Sequence, residues 1–164
     1  MRRILALFGS FLFFCLAPGT VAGLLPWLIG HWRVQPDCPA AFRAAGAVLI
    51  VLGLIPLVES FARFAWKGLG TPAPILPTRH LVVSGFYRHV RNPMYVGVVA
   101  VILGQAALFC DSRLAVYGAT VWFVMHLFVV FYEEPKLAQT FGADYARFRA
   151  NVPRWLPRLK GWKG

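Results

Sequence analysis

Acidic side chains are scarce in this chain: six Asp and Glu stand against 17 Lys and Arg, for a formal net charge of +11 at pH 7. Cysteine is scarce as well. Cys15, Cys38 and Cys110 are scattered, odd in number and form no CxxC pair, which argues against a disulfide framework and against a thiolate metal site. Cys15 and Cys110 are expected to pack in or near apolar segments, and Cys38 to be a loop thiol. The sequence lacks a βαβ pattern with a glycine-rich strand-to-helix turn, which excludes a soluble Rossmann-type enzyme. It also has no internal repeat, low-complexity tract or flexible interdomain linker, and no nucleic-acid motif accompanies the positive charge.

What the chain has instead is apolar length. Of 164 residues 59% are hydrophobic and only 14% charged, too apolar and too short for a soluble multidomain enzyme. The expected fold is all-α: residues 1–164 form one integral membrane bundle of about four transmembrane helices with a C-terminal cytosolic amphipathic helix. The run 4–29 exceeds the roughly 20 residues needed to cross the hydrocarbon core, with Pro18 and Pro26 placed to kink it. A cleavable signal near Ala22 is the alternative reading of this start. Further spans are expected over about 44–66, 95–110 and 114–132, the last two joined as a helical hairpin by Asp111-Ser112-Arg113. Fourteen of the 17 cations then fall on one face, which the positive-inside rule makes cytoplasmic. Both termini are expected there, in a bacterial inner membrane, with anionic lipid headgroups as the electrostatic partner.

Polar groups concentrate in two segments, 79–97 and 133–154. The first, RHLVVSGFYRHVRNPMYVG, sets Arg79, His80, Tyr87, Arg88, His89, Arg91, Asn92 and Tyr95 at the start of an apolar helix. The second opens with Glu133-Glu134, two of only six acids, on the same side of the membrane. The connector 68–77 carries three prolines that prevent regular helix and sheet. Leu137, Phe141, Tyr145 and Phe148 recur at helical spacing over the site, with Gly142 placed to interrupt them. Trp155 and Trp162, among Arg154, Arg158, Lys160 and Lys163, suit interfacial anchoring. Glu59 and Arg63, four residues apart, are expected to pair, and His126 and Gln105 to make interhelical hydrogen bonds.

These residues resemble the integral-membrane methyltransferases that include isoprenylcysteine carboxyl methyltransferases and phospholipid N-methyltransferases. The resemblance rests on Leu81-Val82, Ser84-Gly85, Tyr87, Arg91-Asn92-Pro93, Tyr95 and Gly97, then Glu133-Glu134, Phe141-Gly142, Tyr145 and Val152-Pro153, and covers about the C-terminal half. It implies methyl transfer from S-adenosylmethionine to a lipophilic acceptor entering from the bilayer. It assigns the cofactor to Arg79, His80, Leu81, Val82, Tyr87, Asn92, Pro93, Met94, Tyr95 and Glu134 or Glu133. Many relatives have histidine where Asn92 stands. Prenylcysteine enzymes place an arginine one turn before the acidic pair, where this chain has Val129 and Val130. Arg154 is the candidate to replace that cation.

The chemistry of the ligand asks for the same groups. S-adenosylmethionine presents a carboxylate, an ammonium, a sulfonium, ribose hydroxyls and adenine. Arg79, His80, Arg91 and Glu134 supply charges, Tyr87 and Tyr95 supply ring faces, and Gly85 permits close backbone approach. Glu133 and Arg154 are the candidate catalytic residues, Glu133 for an acceptor that must lose a proton. No metal is expected. The rival readings are a phospholipid ethanolamine N-methyltransferase and a non-catalytic membrane assembly or lipid-binding protein.

Overall fold

A computed structural model describes residue 12, residues 14–67 and residues 81–163, with the side chains of 64–67 excepted. Arg79, His80, the proline-rich connector 68–77 and the start of the first apolar run lie outside the described residues.

The described residues are helical, with no strand among them. Helix α1 covers Phe14–Gly30, α2 Ala40–Lys67, α3 Pro93–Phe109, α4 Ser112–Phe128 and α5 Glu134–Asn151. Helix α2 and the continuous run Ser112–Asn151 are long and apolar enough to cross a membrane; α1 and α3 are shorter apolar helices. The boundaries follow local chemistry. Pro93 at the first turn of α3 needs no intrahelical partner for its missing N–H. The Asp111 carboxylate caps α4 by accepting from Arg113 N–H at 3.0 Å.

Two π-turns, Thr20–Leu24 and Val129–Glu133, end two residues before a proline, at Pro26 and Pro135. A proline removes one i→i−4 bond and crowds the carbonyl four residues back. The wider turn makes room for that ring, so α1 and the α4–α5 run continue through their prolines. Farther on, Gly142 (φ 49°, ψ −119°) breaks α5 as its sequence position suggests. Beyond the break Tyr145, Phe148 and Val152 are buried against Leu81, Val83, Leu137, Phe141 and Trp162. Trp162, expected as an interfacial anchor, is partly buried and packs on Phe148, ring centroids 6.0 Å apart.

Helices α2 and α3 make the most extensive pair. Gly46 and Gly53 on α2 face Gly104 and Gly97 on α3: a Cβ on Gly97 would lie 2.6 Å from the Gly53 carbonyl oxygen, and one on Gly104 would lie 2.9 Å from that of Gly46. Small residues two turns apart on both helices let the backbones touch. The outer side of α2 leaves Val48, Val51, Leu52, Ile55 and Val58 exposed, as a lipid-facing surface requires.

At the end remote from Glu133, one expectation is overturned. Cys38 and Cys110 form a disulfide, Cα atoms 5.7 Å apart, leaving Cys15 as the one free thiol. The partners are 72 residues apart, and only the antiparallel packing of α2 on α3 brings the loop before α2 to the hairpin tip. The same end is tied by Gln35 N–H to Phe109 O at 3.1 Å. Gln105 links helices as expected, accepting from the Trp32 indole at 3.1 Å and donating to Ala22 O at 2.7 Å.

Candidate active site

At the opposite end, the starts of α3 and α5 meet the loop before α3. Ser84 and the Gly85–Arg88 3₁₀ turn feed the chain into Asn92 and Pro93. Gly85 has φ +59°, and its missing Cβ leaves room for the paired Glu59 and Arg63 side chains. The expected Glu59–Arg63 ion pair is present.

Glu134, nearly buried, is the hub. Its Oε1 accepts from Arg91 Nη1 at 3.0 Å and from Arg154 Nε at 2.6 Å, and its Oε2 accepts from Arg154 Nη2 at 3.0 Å. The Arg154 contact is bidentate, the geometry in which guanidinium and carboxylate bind most strongly. That hydrogen bonding to Glu134 raises the affinity of the Arg154 guanidinium for its proton. Arg91 Nη1 also approaches the Tyr145 hydroxyl at 3.3 Å, while its buried Nε has no hydrogen-bond partner among the described residues. Beside this hub, Tyr95 donates its hydroxyl proton to Glu133 Oε2 at 3.0 Å. Burial, and then the nearby Glu133 charge, push the Tyr87 phenol above its ordinary range, so it stays protonated.

Asn92 Nδ2 donates to Arg154 O at 3.2 Å, and Arg91 N–H donates to Pro153 O at 2.9 Å. These bonds lash the segment after α5 to the segment before α3. Together the elements enclose a cavity of about 230 Å³. Its polar lining comes from helix ends and loops: Tyr87, Arg91, Asn92, Tyr95, Glu133, Glu134 and Tyr145. Its apolar lining comes from within the bundle: Val21 of α1, Leu57 and Phe61 of α2, Val98 of α3, and Met125 of α4 with Val129 of the π-turn.

Residues 41–144 match the family model described as phospholipid methyltransferase. The chain belongs to the phospholipid methyltransferase family. It is also similar to the human protein-S-isoprenylcysteine O-methyltransferase, 36% identical over 87 residues that make up 52% of this chain and 30% of that protein. An Arabidopsis thaliana protein, protein-S-isoprenylcysteine O-methyltransferase B, is 31% identical over 134 residues, 80% of this chain and 64% of that one. Its A counterpart is 28% identical over 136 residues. The chain thus spans 30% of the length of the human relative and under two thirds of the plant ones.

In this phospholipid methyltransferase family member, nine of the residues singled out from sequence line one cavity: Leu81, Val82, Tyr87, Arg91, Asn92, Met94, Tyr95, Glu133 and Glu134. Gly85, Pro93 and Arg154 do not line it. Gly85 shapes the loop, Pro93 starts α3 and Arg154 holds Glu134. The cavity also takes residues that sequence reasoning passed over, among them Ala17, Pro18 and Val21 of α1. Only the packing of α1 against α3 and α4 shows them, because nothing in an apolar run marks which side chain meets a ligand. Tyr145, read from sequence as part of the overlying helix, lies in the lining itself.

Proposed function

We propose that this protein is an integral-membrane, S-adenosylmethionine-dependent methyltransferase whose acceptor is a lipophilic small molecule or lipid entering from the bilayer. One observation carries the reading: a single cavity joins a floor of charged and hydrogen-bonding groups to apolar walls drawn from four helices. A polar, zwitterionic ligand and an apolar partner both find complementary surface there.

The residues present fit the methyl donor. The buried Arg91 Nε–H has no partner among the described residues, and an anionic ligand group would satisfy it. Among the described residues Glu133 carries one hydrogen bond, from Tyr95, and can face an ammonium or sulfonium. Tyr87 and Tyr95 offer ring faces for cation–π contact. When bound, S-adenosylmethionine supplies a methyl carbon activated by its sulfonium. The chain's own residues orient the ligand and exclude water from the apolar walls, so positioning and desolvation provide the acceleration.

A second reading concerns the acceptor. The family model's description names phospholipid methylation, and the curated relatives are named for O-methylation of isoprenylcysteine. Val129 lines the cavity where a prenylcysteine enzyme would place an arginine, and Arg91, the cation among the described lining residues, is already on Glu134. Glu133 places a carboxyl group in the cavity lining, where it can accept a proton. This favours an amine acceptor over a carboxylate, with Glu133 as the group that takes its proton.

The orientation has two independent supports. The basic segments cluster at the Glu133 end, and the Cys38–Cys110 disulfide lies at the other, where an oxidising compartment would maintain it. The site then faces the cytoplasm. The test is incubation of the nanodisc-embedded protein with methyl-labelled S-adenosylmethionine and a lipid extract. Label in extracted lipid is expected, and base-stable label identifies an amine acceptor. Binding of donor without any transfer, across phospholipid and prenylcysteine acceptors, favours the non-catalytic reading.

A further inference from the structure

The segment after α5 does more than brace the site. Three main-chain bonds fix its path along residues 88–91: Arg91 N–H to Pro153 O, Arg158 N–H to His89 O at 3.0 Å, and Trp162 N–H to Arg88 O at 2.9 Å. Between these ties it reaches down the side of α4. The Trp155 indole donates to His126 Nδ1 at 3.0 Å, and its ring lies 6.3 Å from that of Trp122. At 1.5 Å rise per residue, His126 and Trp122 sit about 10 and 16 Å along the helix from Glu133, toward the membrane interior. On this side of α4 Trp122 is itself 40% exposed, and the adjoining Phe123 is 54% exposed. That surface is lipid-facing.

The residues following Trp155 are the most exposed apolar side chains of the described structure. Leu156 is 80% exposed and Leu159 fully so, and no other part of the described chain covers them. Arg158 and Lys160 flank Leu159, and the chain has no acid after Asp144. Bare leucines beside a membrane-facing tryptophan and interleaved with cations match the interfacial region of a bilayer, where apolar tips enter the acyl boundary and basic groups meet phosphates.

We propose that Trp155–Lys160 is a membrane-docking strap: Leu156 and Leu159 enter the headgroup boundary of an anionic bilayer, and Arg158 and Lys160 bind its lipid phosphates. Because Arg154 immediately precedes this strap and grips Glu134, lipid seating and order in the site share one short segment. The proposal does not depend on which ligand the cavity takes.

The experiment places a nitroxide at Leu159→Cys in a Cys15→Ser background, with the Cys38–Cys110 disulfide intact, in phosphatidylcholine vesicles with and without phosphatidylglycerol. Leu159 is fully exposed among the described residues, so the substitution leaves the bundle unaltered. Oxygen is expected to collide with the label more often than an aqueous nickel chelate does, and the ratio is expected to rise with phosphatidylglycerol. Adding Arg158→Gln and Lys160→Gln should abolish that rise. Dominant nickel collisions would place the strap in water and overturn the proposal. Shielding from both reagents would mean that a second protein surface covers it, and a ratio indifferent to phosphatidylglycerol would remove the headgroup contact.

Discussion

Arg91 Nη1 lies 3.0 Å from Glu134 Oε1, joining the approach to α3 to the first residue of α5 across 43 positions of sequence. Glu134 has a second cation in Arg154, whereas Arg91, only 9% exposed in its side chain, has Glu134 as its ion-pair partner. The two ends of the pair are therefore unequal. Glu134→Ala should cost about 3 kcal/mol of stability, because it leaves a nearly buried guanidinium uncompensated. Arg91→Ala should cost closer to about 1 kcal/mol, since Glu134 keeps its bidentate partner. Thermal unfolding in detergent measures both, and equal losses would contradict this geometry.

Tyr95→Phe removes the hydrogen bond that Glu133 receives from the described residues and nothing else of volume. We expect a loss of about 1 kcal/mol in stability and a clear drop in methyl-transfer rate, with affinity for S-adenosylhomocysteine less affected than in Glu134→Ala. A variant with wild-type turnover would remove the Tyr95–Glu133 pair from the chemistry.

Much of the fold was legible because apolar length and hairpin chemistry are local properties. The segments 44–66 and 95–110 correspond to the helices α2 and α3 within a few residues, and the hairpin turns at Cys110-Asp111, a tighter connection than the expected Asp111-Ser112-Arg113, whose last two residues open α4. The polar half of the site was legible for a related reason: Arg91, Asn92, Tyr95 and the Glu133-Glu134 pair are conspicuous against apolar sequence. Long-range relations were not. The Cys38–Cys110 bond depends on how α2 and α3 cross, and the apolar lining from α1 depends on which side of that helix faces inward. The Arg154–Glu134 pairing likewise needs the return of the chain after Gly142.

The glycine contacts between α2 and α3 make a contrast that sequence alone would miss. Gly97→Ala would set a Cβ 2.6 Å from Gly53 O and 3.0 Å from Leu57 Cβ, forcing the backbones apart. It should destabilise the protein by about 1–3 kcal/mol. Gly23→Ala meets nothing within 4 Å and should be neutral or stabilising by roughly 0.5–1 kcal/mol from helix propensity. Unfolding midpoints of the two variants check this, and a tolerated Gly97→Ala would refute the close approach.

Denatured but unreduced protein should expose one maleimide-reactive thiol, Cys15, and reduced protein three. Intact-mass measurement counts the adducts. Cys38→Ser should lower stability by about 2–4 kcal/mol, the range for losing a crosslink that closes a long loop. Three reactive thiols before reduction would contradict the bond.

The central claim, that the cavity between the two polar segments holds S-adenosylmethionine, is tested most directly by calorimetric titration of S-adenosylhomocysteine into nanodisc-embedded protein. Saturable one-to-one binding is expected, weakened by roughly tenfold or more in folded Arg91→Ala and Glu134→Ala, as loss of a hydrogen bond to a charged group requires. Absence of binding to folded protein, or affinity unchanged in both variants, would contradict the account.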